Sequence, residues 1–450
     1  MENIESLIVN LPEDVEKYVY YGDFQKAEKL IDIYLERNVG QILKDRLLYE
    51  KEIIKRLKKD YIYSYDEAFE MAKKAIKDFD EKELEWMKDK GYADWIYIDG
   101  KIKFHKNFLE TILKTYLEIE SRLYEKEERN EKANLLQNTI EDIIEKGKKS
   151  YFIHIKTGIK LKKDSSGIGE TIKVYLPIPR EAQQIKNIKI LSASPNVKLI
   201  SPGDYPQRTI YFEEKVKGED VFTVEYSYEN HVNYNKLNYN NVSSIQPDFC
   251  TEEKLPHIVF TPYLIRLTQE VIGNETNPLR KARKIYDYIT QNVRYSFMRE
   301  YAAFTNIPEY AALNLKGDCG VQALLFITMC RIAKIPARWQ SGLYVTPFSI
   351  GCHDWAEFYI APYGWLFADL SFGGSAYREG NIKRWNYYFG NLDPFRMVAN
   401  SDFQYELSPE KKFLRNDPYD NQVGEAEYLH RGLYNDDFEL IKEIIDVHEI

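Results

Sequence analysis

Near residue 150 the apolar residues change their spacing from every third or fourth position to every second, and this break constrains the fold more than any other feature. Before it, residues 1–148 are dense in Glu, Lys, Leu and Ile, and Pro12 is their single proline. Ala27, Leu30, Ile31 and Tyr34 recur at helix spacing, so a helical region is expected. Its mixed charges, as in Glu50-Lys51-Glu52 and Lys55-Arg56-Leu57-Lys58-Lys59, read as solvated helix faces. No chemistry is assigned to this region, which is left as a surface for a protein partner. After the break, Phe152-Ile153-His154-Ile155-Lys156 and Thr171-Ile172-Lys173-Val174-Tyr175 alternate, with Gly167, Pro177, Pro179, Pro195, Pro202 and Gly203 between such runs. Short strands at this spacing predict a β-sandwich over 151–236, its last strand at Val221–Tyr226. The Asn- and Tyr-rich stretch Asn230–Asn241 reads as a linker.

A third segment, 249–398, starts with a helix after Asn277-Pro278, where Ala282, Ile285, Tyr286 and Ile289 fall on one face. Gly317-Asp318-Cys319-Gly320 then leads into an apolar helix, Val321–Ala333, followed by strands at 338–344, 355–360 and 365–370. Helices followed by antiparallel strands make this segment α+β. The remainder, 399–450, is a C-terminal helical extension in which Asp437–Val447 forms the helix. Gly22–Asp32 echoes Asp436–Asp446; two copies are consistent with chance or with two similar helical hairpins and do not define a repeat array. With 450 residues, a multidomain chain is expected.

Composition removes several classes of function. No run approaches the roughly 18–20 apolar residues of a membrane span, so no membrane role is expected. The opening Met1-Glu2-Asn3-Ile4-Glu5-Ser6 lacks a basic-then-apolar export pattern, which gives a cytoplasmic expectation. A formal net charge of −9 argues against nucleic acid. Cys250, Cys319, Cys330 and Cys352 form neither a disulfide framework nor a Cys-x-x-Cys pair.

Cys319 stands at the start of the apolar helix, where unpaired backbone N–H groups and the helix dipole favour a thiolate. The same N–H groups can stabilise an oxyanion. Cys330, inside that helix, reads as a buried structural cysteine. His353, in Gly351-Cys352-His353-Asp354-Trp355, supplies a base that could take the thiol proton. Asp369, at the end of Gly364-Trp365-Leu366-Phe367-Ala368, is an acid on an apolar strand, and fixing the histidine's tautomer is a reason for it to be there. Asp354 is the rival, but a neighbouring strand residue points to the opposite face. A metal site built from Cys319, Cys352 and His353 is set aside because adjacent ligands on one strand point apart, and no cofactor is expected.

The runs Gly317-Asp318-Cys319-Gly320, Arg331-Ile332-Ala333-Lys334-Ile335-Pro336-Ala337-Arg338, His353-Asp354-Trp355-Ala356-Glu357, Gly364-Trp365 and Asp369 resemble the core signature of the transglutaminase-like superfamily. The resemblance covers about 280–375 and implies a papain-like α+β core, preceded by the sandwich often found before such cores. It implies a Cys-His-Asp triad at Cys319, His353 and Asp369. Two positions depart from the family's pattern: Lys334 stands where glycine is common, and Leu370-Ser371 follows Asp369 where Pro-Thr is frequent. Tyr295 is a candidate oxyanion donor, and Trp339 and Trp355 are candidates to line a substrate groove. The expected chemistry is acyl transfer from an amide of a peptide or protein substrate, through a thioester, to water. Transfer to an amine is the alternative, and a non-catalytic interaction protein on the same core is a third.

Overall fold

The structure, a computed structural model, describes residues 4–124 and 130–450. Residues 1–3, which entered the expectation on export, and 125–129 lie outside it. The chain is α+β and forms two compact units, each discontinuous in sequence. The first comprises Met1–Arg129, Glu253–Thr261 and Asn292–Leu325; the second comprises Asn130–Glu252, Pro262–Gln291 and Phe326–Ile450.

In the first unit the long helix α1 (Gln41–Asp60) buries Leu47, Ile54 and Leu57 at helix spacing. Its charges are not all solvated, contrary to the expectation from their mixing: Arg46, Glu50, Glu52 and Arg56 are buried. They are tolerated inside because Arg46–Glu50 and Glu52–Arg56 are ion pairs one helical turn apart. The helical region also contains a three-stranded sheet, ordered Tyr61–Tyr63, Lys101–His105, Trp95–Ile98. Its hairpin turns at Asp99-Gly100, with φ of 48° and 81°, a sequence suited to a two-residue turn with two positive φ angles. Phe79, Leu84, Met87, Phe104, Phe108 and Ile112 belong to the core beneath that sheet. Helix α2 (Cys319–Ile332) opens in this unit and closes in the second.

In the second unit the strands in chain order are β1 (Lys148–Leu161), β2 (Thr171–Pro177), β3 (Ile185–Ser194), β4 (Leu199–Ile200), β5 (Thr209–Lys215) and β6 (Val221–Asn233). They continue with β7 (Ala337–Thr346), β8 (Ser349–Ile360), β9 (Gly364–Ala368), β10 (Phe389–Gly390), β11 (Arg396–Asn400), β12 (Glu425–Tyr428) and β13 (Phe438–Glu449). Two four-stranded sheets, β13-β1-β6-β3 and β12-β2-β5-β4, form the sandwich, and Phe212 meets Phe222 across it at 5.9 Å between ring centroids. Strand β6 runs through Asn233 and so takes up the start of the expected linker.

The expected C-terminal helix is a strand. Residues 438–449 pair with β1 from Phe438↔Leu161 to Glu449↔Tyr151. Phe438, Ile441, Ile444 and Ile445 mimic helix spacing, but a register shift between Ile444 and Asp446 breaks the two-residue alternation that would have identified a strand. Ile441, Ile444, Ile445 and Val447 also carry the β-branched side chains suited to a sheet. The similar run near the N-terminus is a helix, Phe24–Leu35, so the echo is not a structural repeat. The sandwich is therefore completed by β12 and β13 from the segment read as a separate extension.

A five-stranded antiparallel sheet, β10-β9-β8-β7-β11, follows. Phe326 of α2 packs edge-on against Phe358 of β8 at 5.6 Å, and Phe403 packs on Trp339 of β7 at 5.3 Å. β7, and β8 from His353 onward, are buried at nearly every position, so burial does not alternate along them. Among the described residues no helix is long and apolar enough to cross a membrane.

Candidate active site

In the first unit, Asp318 caps the helix that begins at Cys319: its Oδ1 accepts from the Val321 N–H at 3.1 Å and from the Tyr301 hydroxyl at 2.5 Å. Gln322 Nε2 donates to the Gly317 carbonyl at 2.8 Å, tying the approach strand to the helix it feeds. A Cβ on Gly317 would lie 2.4 Å from Val321 Cγ1, so the tight entry into α2 requires glycine. Cys319 is half-buried in the helix's first turn, where the dipole's positive end supports a thiolate. Cys330, on the same helix, is fully buried, and burial pushes its thiol well above the ordinary range. Lys316-Gly317 pairs in parallel with Arg294-Tyr295, which puts the Tyr295 backbone opposite Gly317. The Tyr295 ring lies under the Lys114 ammonium at 4.1 Å and against Phe297 at 5.6 Å.

In the second unit, β8 carries His353 opposite Gly342 of β7. A Cβ on Gly342 would lie 2.0 Å from the Met397 carbonyl oxygen, so glycine lets β11 close on the sheet at its register shift. The His353 Nε2 is 2.7 Å from Asp369 Oδ2. Asp369 is fully buried and does not end a strand: it caps a new helix, α3 (Leu370–Arg378), its Oδ1 accepting from the Phe372 N–H at 3.0 Å and from the Ser371 hydroxyl at 3.2 Å. Asp354 is turned to Gln422, whose Nε2 donates to its Oδ1.

Electrostatics fix the protonation state of the pair. Burial alone would raise the Asp369 pKa, but its interaction with His353, the Arg396 charge and the hydrogen bonds to the carboxylate outweigh it and hold the acid well below its ordinary range. An ionised carboxylate only accepts, so Nε2 carries the imidazole proton and Nδ1 is left with a lone pair. Burial lowers the His353 pKa, the Asp369 charge opposes that, and Arg396 adds to it; the net direction is down, so the imidazole is neutral at neutral pH.

Two residues absent from the sequence reading complete this cluster. Arg396 Nη1 lies 2.8 Å from Asp369 Oδ2, a separation at which the charges pair though a hydrogen bond is not aligned, and Nη2 donates to Asp393 Oδ2 at 2.7 Å. No local motif marks either one; the signal was a charged residue inside an apolar strand, Arg396 in Arg396-Met397-Val398-Ala399.

The two groove candidates need correction. Trp339 is 2% exposed and Trp355 fully buried, its Nε1 donating to Gln340 Oε1 at 2.7 Å, so both are packing residues of a sheet covered on both faces. Trp355 instead stacks on the His353 ring at 6.0 Å. Lys334 has φ 61°, the left-handed conformation just past a helix end that suits glycine, and Ile335 N closes the end onto Cys330 O at 2.9 Å.

Within the first unit Cys319 opens α2, and within the second His353 of β8 pairs with Asp369 at the head of α3. Residues 265–370 match the transglutaminase-like superfamily, and this segment is a transglutaminase-like core. The match supports a cysteine-type enzyme. An uncharacterized protein of Haemophilus influenzae is 25% identical over 228 residues, covering 44% of this chain and 62% of that protein. The chain thus spans less than two thirds of the length of the curated relative it matches. Among solved structures, a Cytophaga hutchinsonii protein provisionally described as a cysteine protease aligns at a TM-score of 0.38 with 14% identity, over 67% of this chain and 90% of that one. The periplasmic domain of TgpA from Pseudomonas aeruginosa aligns at 0.28 with 11% identity, over 55% of this chain and 96% of that one.

Proposed function

We propose that this chain is a peptidase or amidase-like hydrolase that cleaves an amide of a peptide or protein substrate through a thioester on Cys319. The observation that carries this reading is the buried His353–Asp369 pair at 2.7 Å, whose geometry leaves Nδ1 as a base. The imidazole takes the thiol proton as Sγ bonds to the substrate carbonyl carbon, and the oxyanion is met by N–H groups at the helix start, with Tyr295 as a candidate donor. Collapse breaks the C–N bond, and His353 returns the proton to the leaving amine. Water then adds to the thioester, His353 takes its proton, and the carboxylic acid leaves as Cys319 regains a hydrogen.

The net charge of −9 supports a substrate other than nucleic acid, and the absence of disulfides at all four cysteines supports a cytoplasmic setting. The helical region is left for a protein partner. Mass spectrometry of a peptide panel incubated with the protein, with and without a primary amine, tests the reading. It predicts cleaved products that vanish in Cys319→Ala. Amine adducts in place of cleavage would make the acceptor an amine, and turnover retained in Cys319→Ala would overturn the nucleophile.

A further inference from the structure

We propose that Arg396 is a positioning residue: clamped by Asp393, it fixes the Asp369 carboxylate and, through it, the tautomer and orientation of the His353 imidazole. The inference rests on the proposed role of His353 as base. Arg396 opens β11 opposite Tyr344 of β7, and its side chain has no exposure to solvent. Its guanidinium reaches two carboxylates from different segments, Asp369 at the head of α3 and Asp393 in the loop before β11. Asp393 is itself held: Oδ2 also accepts from the Tyr388 hydroxyl at 3.0 Å and Oδ1 from the Phe395 N–H at 3.1 Å. The guanidinium is therefore anchored at one end by a fixed acid and presents the other to Asp369.

The same three rings enclose the guanidinium and the imidazole. Phe372, Tyr344 and Trp355 lie 4.7, 5.0 and 5.4 Å from the Arg396 guanidinium carbon. They lie 4.8, 6.2 and 6.0 Å from the His353 ring. Arg396 and His353 share one water-poor compartment, where charges act strongly on one another. The charged and titratable groups acting on that compartment are Asp369, Asp393, Tyr344, Tyr387 and Tyr388, with Tyr286 acting on Asp369 and Arg384 on Tyr344. With Arg396 in place, Asp369 can stay ionised beside a neutral imidazole. Without it two buried carboxylates have no permanent counter-charge, and a proton must bind the imidazole or a carboxyl group. A proton on the imidazole occupies Nδ1 and removes the base, and a proton on Asp369 weakens the acceptor that holds the Nε2–H tautomer.

The test is ¹⁵N NMR of histidine-labelled protein, with His353 assigned by its loss in His353→Gln. Wild type should show the neutral, Nε2-protonated pattern at neutral pH and become charged only below the ordinary histidine range. In Arg396→Met the ring should become charged at least one pH unit higher, or lose the single tautomer, and Arg396→Lys should restore part of the wild-type pattern. If Arg396→Met does not fold, the same shift is expected, smaller, in Arg396→Lys, whereas Asp393→Asn, which removes a carboxylate that favours the charged ring, should shift the titration down. A wild-type tautomer and titration in the folded variants would overturn the proposal. The readout needs no substrate: an inert Cys319 beside a His353 that responds to Arg396 would defeat the hydrolase reading alone, and a reactive Cys319 beside an unresponsive His353 would defeat only this one.

Discussion

Two buried carboxylates, Glu50 in the first unit and Asp369 in the second, have opposite electrostatic outcomes. Glu50 is 2% exposed and accepts one charged bond, from Arg46 Nη1 at 2.7 Å; burial outweighs that single partner and its pKa rises. Asp369 is buried at least as deeply, yet it meets two cationic or ionisable partners, His353 and Arg396, and a backbone N–H, and its pKa falls. Depth of burial alone therefore does not decide whether an acid stays charged; the number of donors converging on it does. Glu50 behaves as a structural acid that can take a proton. Asp369 is an acid kept ionised, as a group that orients an imidazole must be.

The largest effect expected on this contrast is in Asp369→Ala, which leaves the His353 Nε2–H without its acceptor, takes one of two carboxylates from buried Arg396 and uncaps α3. A stability loss of about 3–5 kcal/mol is expected near neutral pH, read by denaturant unfolding. The wild-type contribution of Asp369 is present above its unfolded pKa of about 3.9 and is lost as pH falls toward its depressed folded value, so the gap between variant and wild type should close in acid. Arg46→Met should cost less, about 1–3 kcal/mol, because Glu50 can neutralise itself. The pH window of the deficit separates the two acids: the Asp369→Ala deficit changes below about pH 3.9, the Arg46→Met deficit above about pH 4.3. The Glu50 contribution is fully present below its unfolded pKa of about 4.3 and is lost as pH rises through the raised folded value. The Arg46→Met deficit should thus grow from acid to neutral pH. Deficits that open over the same pH window in the two variants would break the comparison.

The periodicities that changed near residue 150, the apolar helix after Cys319 and the strands that follow it were legible because each is local. So were the residue types of the candidate site, of which the structure pairs His353 with Asp369. Arg396 was not, since nothing near Asp369 in sequence marks a guanidinium on the fifth strand of the sheet as its partner. The sandwich's closing strands were hidden for a similar reason: β1 pairs with β13 from opposite ends of the second unit, and the bulge in β13 gives its apolar residues a helix-like spacing. Buried charges on α1 were misread as solvated because a mixed run looks the same whether its partners are water or one another.

Lys334 gave a sequence clue whose physics the structure supplies, and it sets the smallest expected effect. Lys334→Gly relieves a left-handed residue at the end of α2 but adds freedom to the unfolded chain, so a net gain of up to about 1 kcal/mol is expected by thermal unfolding. A loss would mean that the Lys334 side chain contributes a contact that outweighs its backbone strain.

The central claim, that His353 serves as base to Cys319, is tested most directly by the rate of iodoacetamide alkylation at Cys319 followed site by site between pH 5 and 8, in wild type and in His353→Gln. The account predicts that Cys319 reacts well before buried Cys330 and loses rate by at least about 10-fold near pH 6.5 when the imidazole is replaced. Identical Cys319 rates and pH profiles in the two proteins would contradict it.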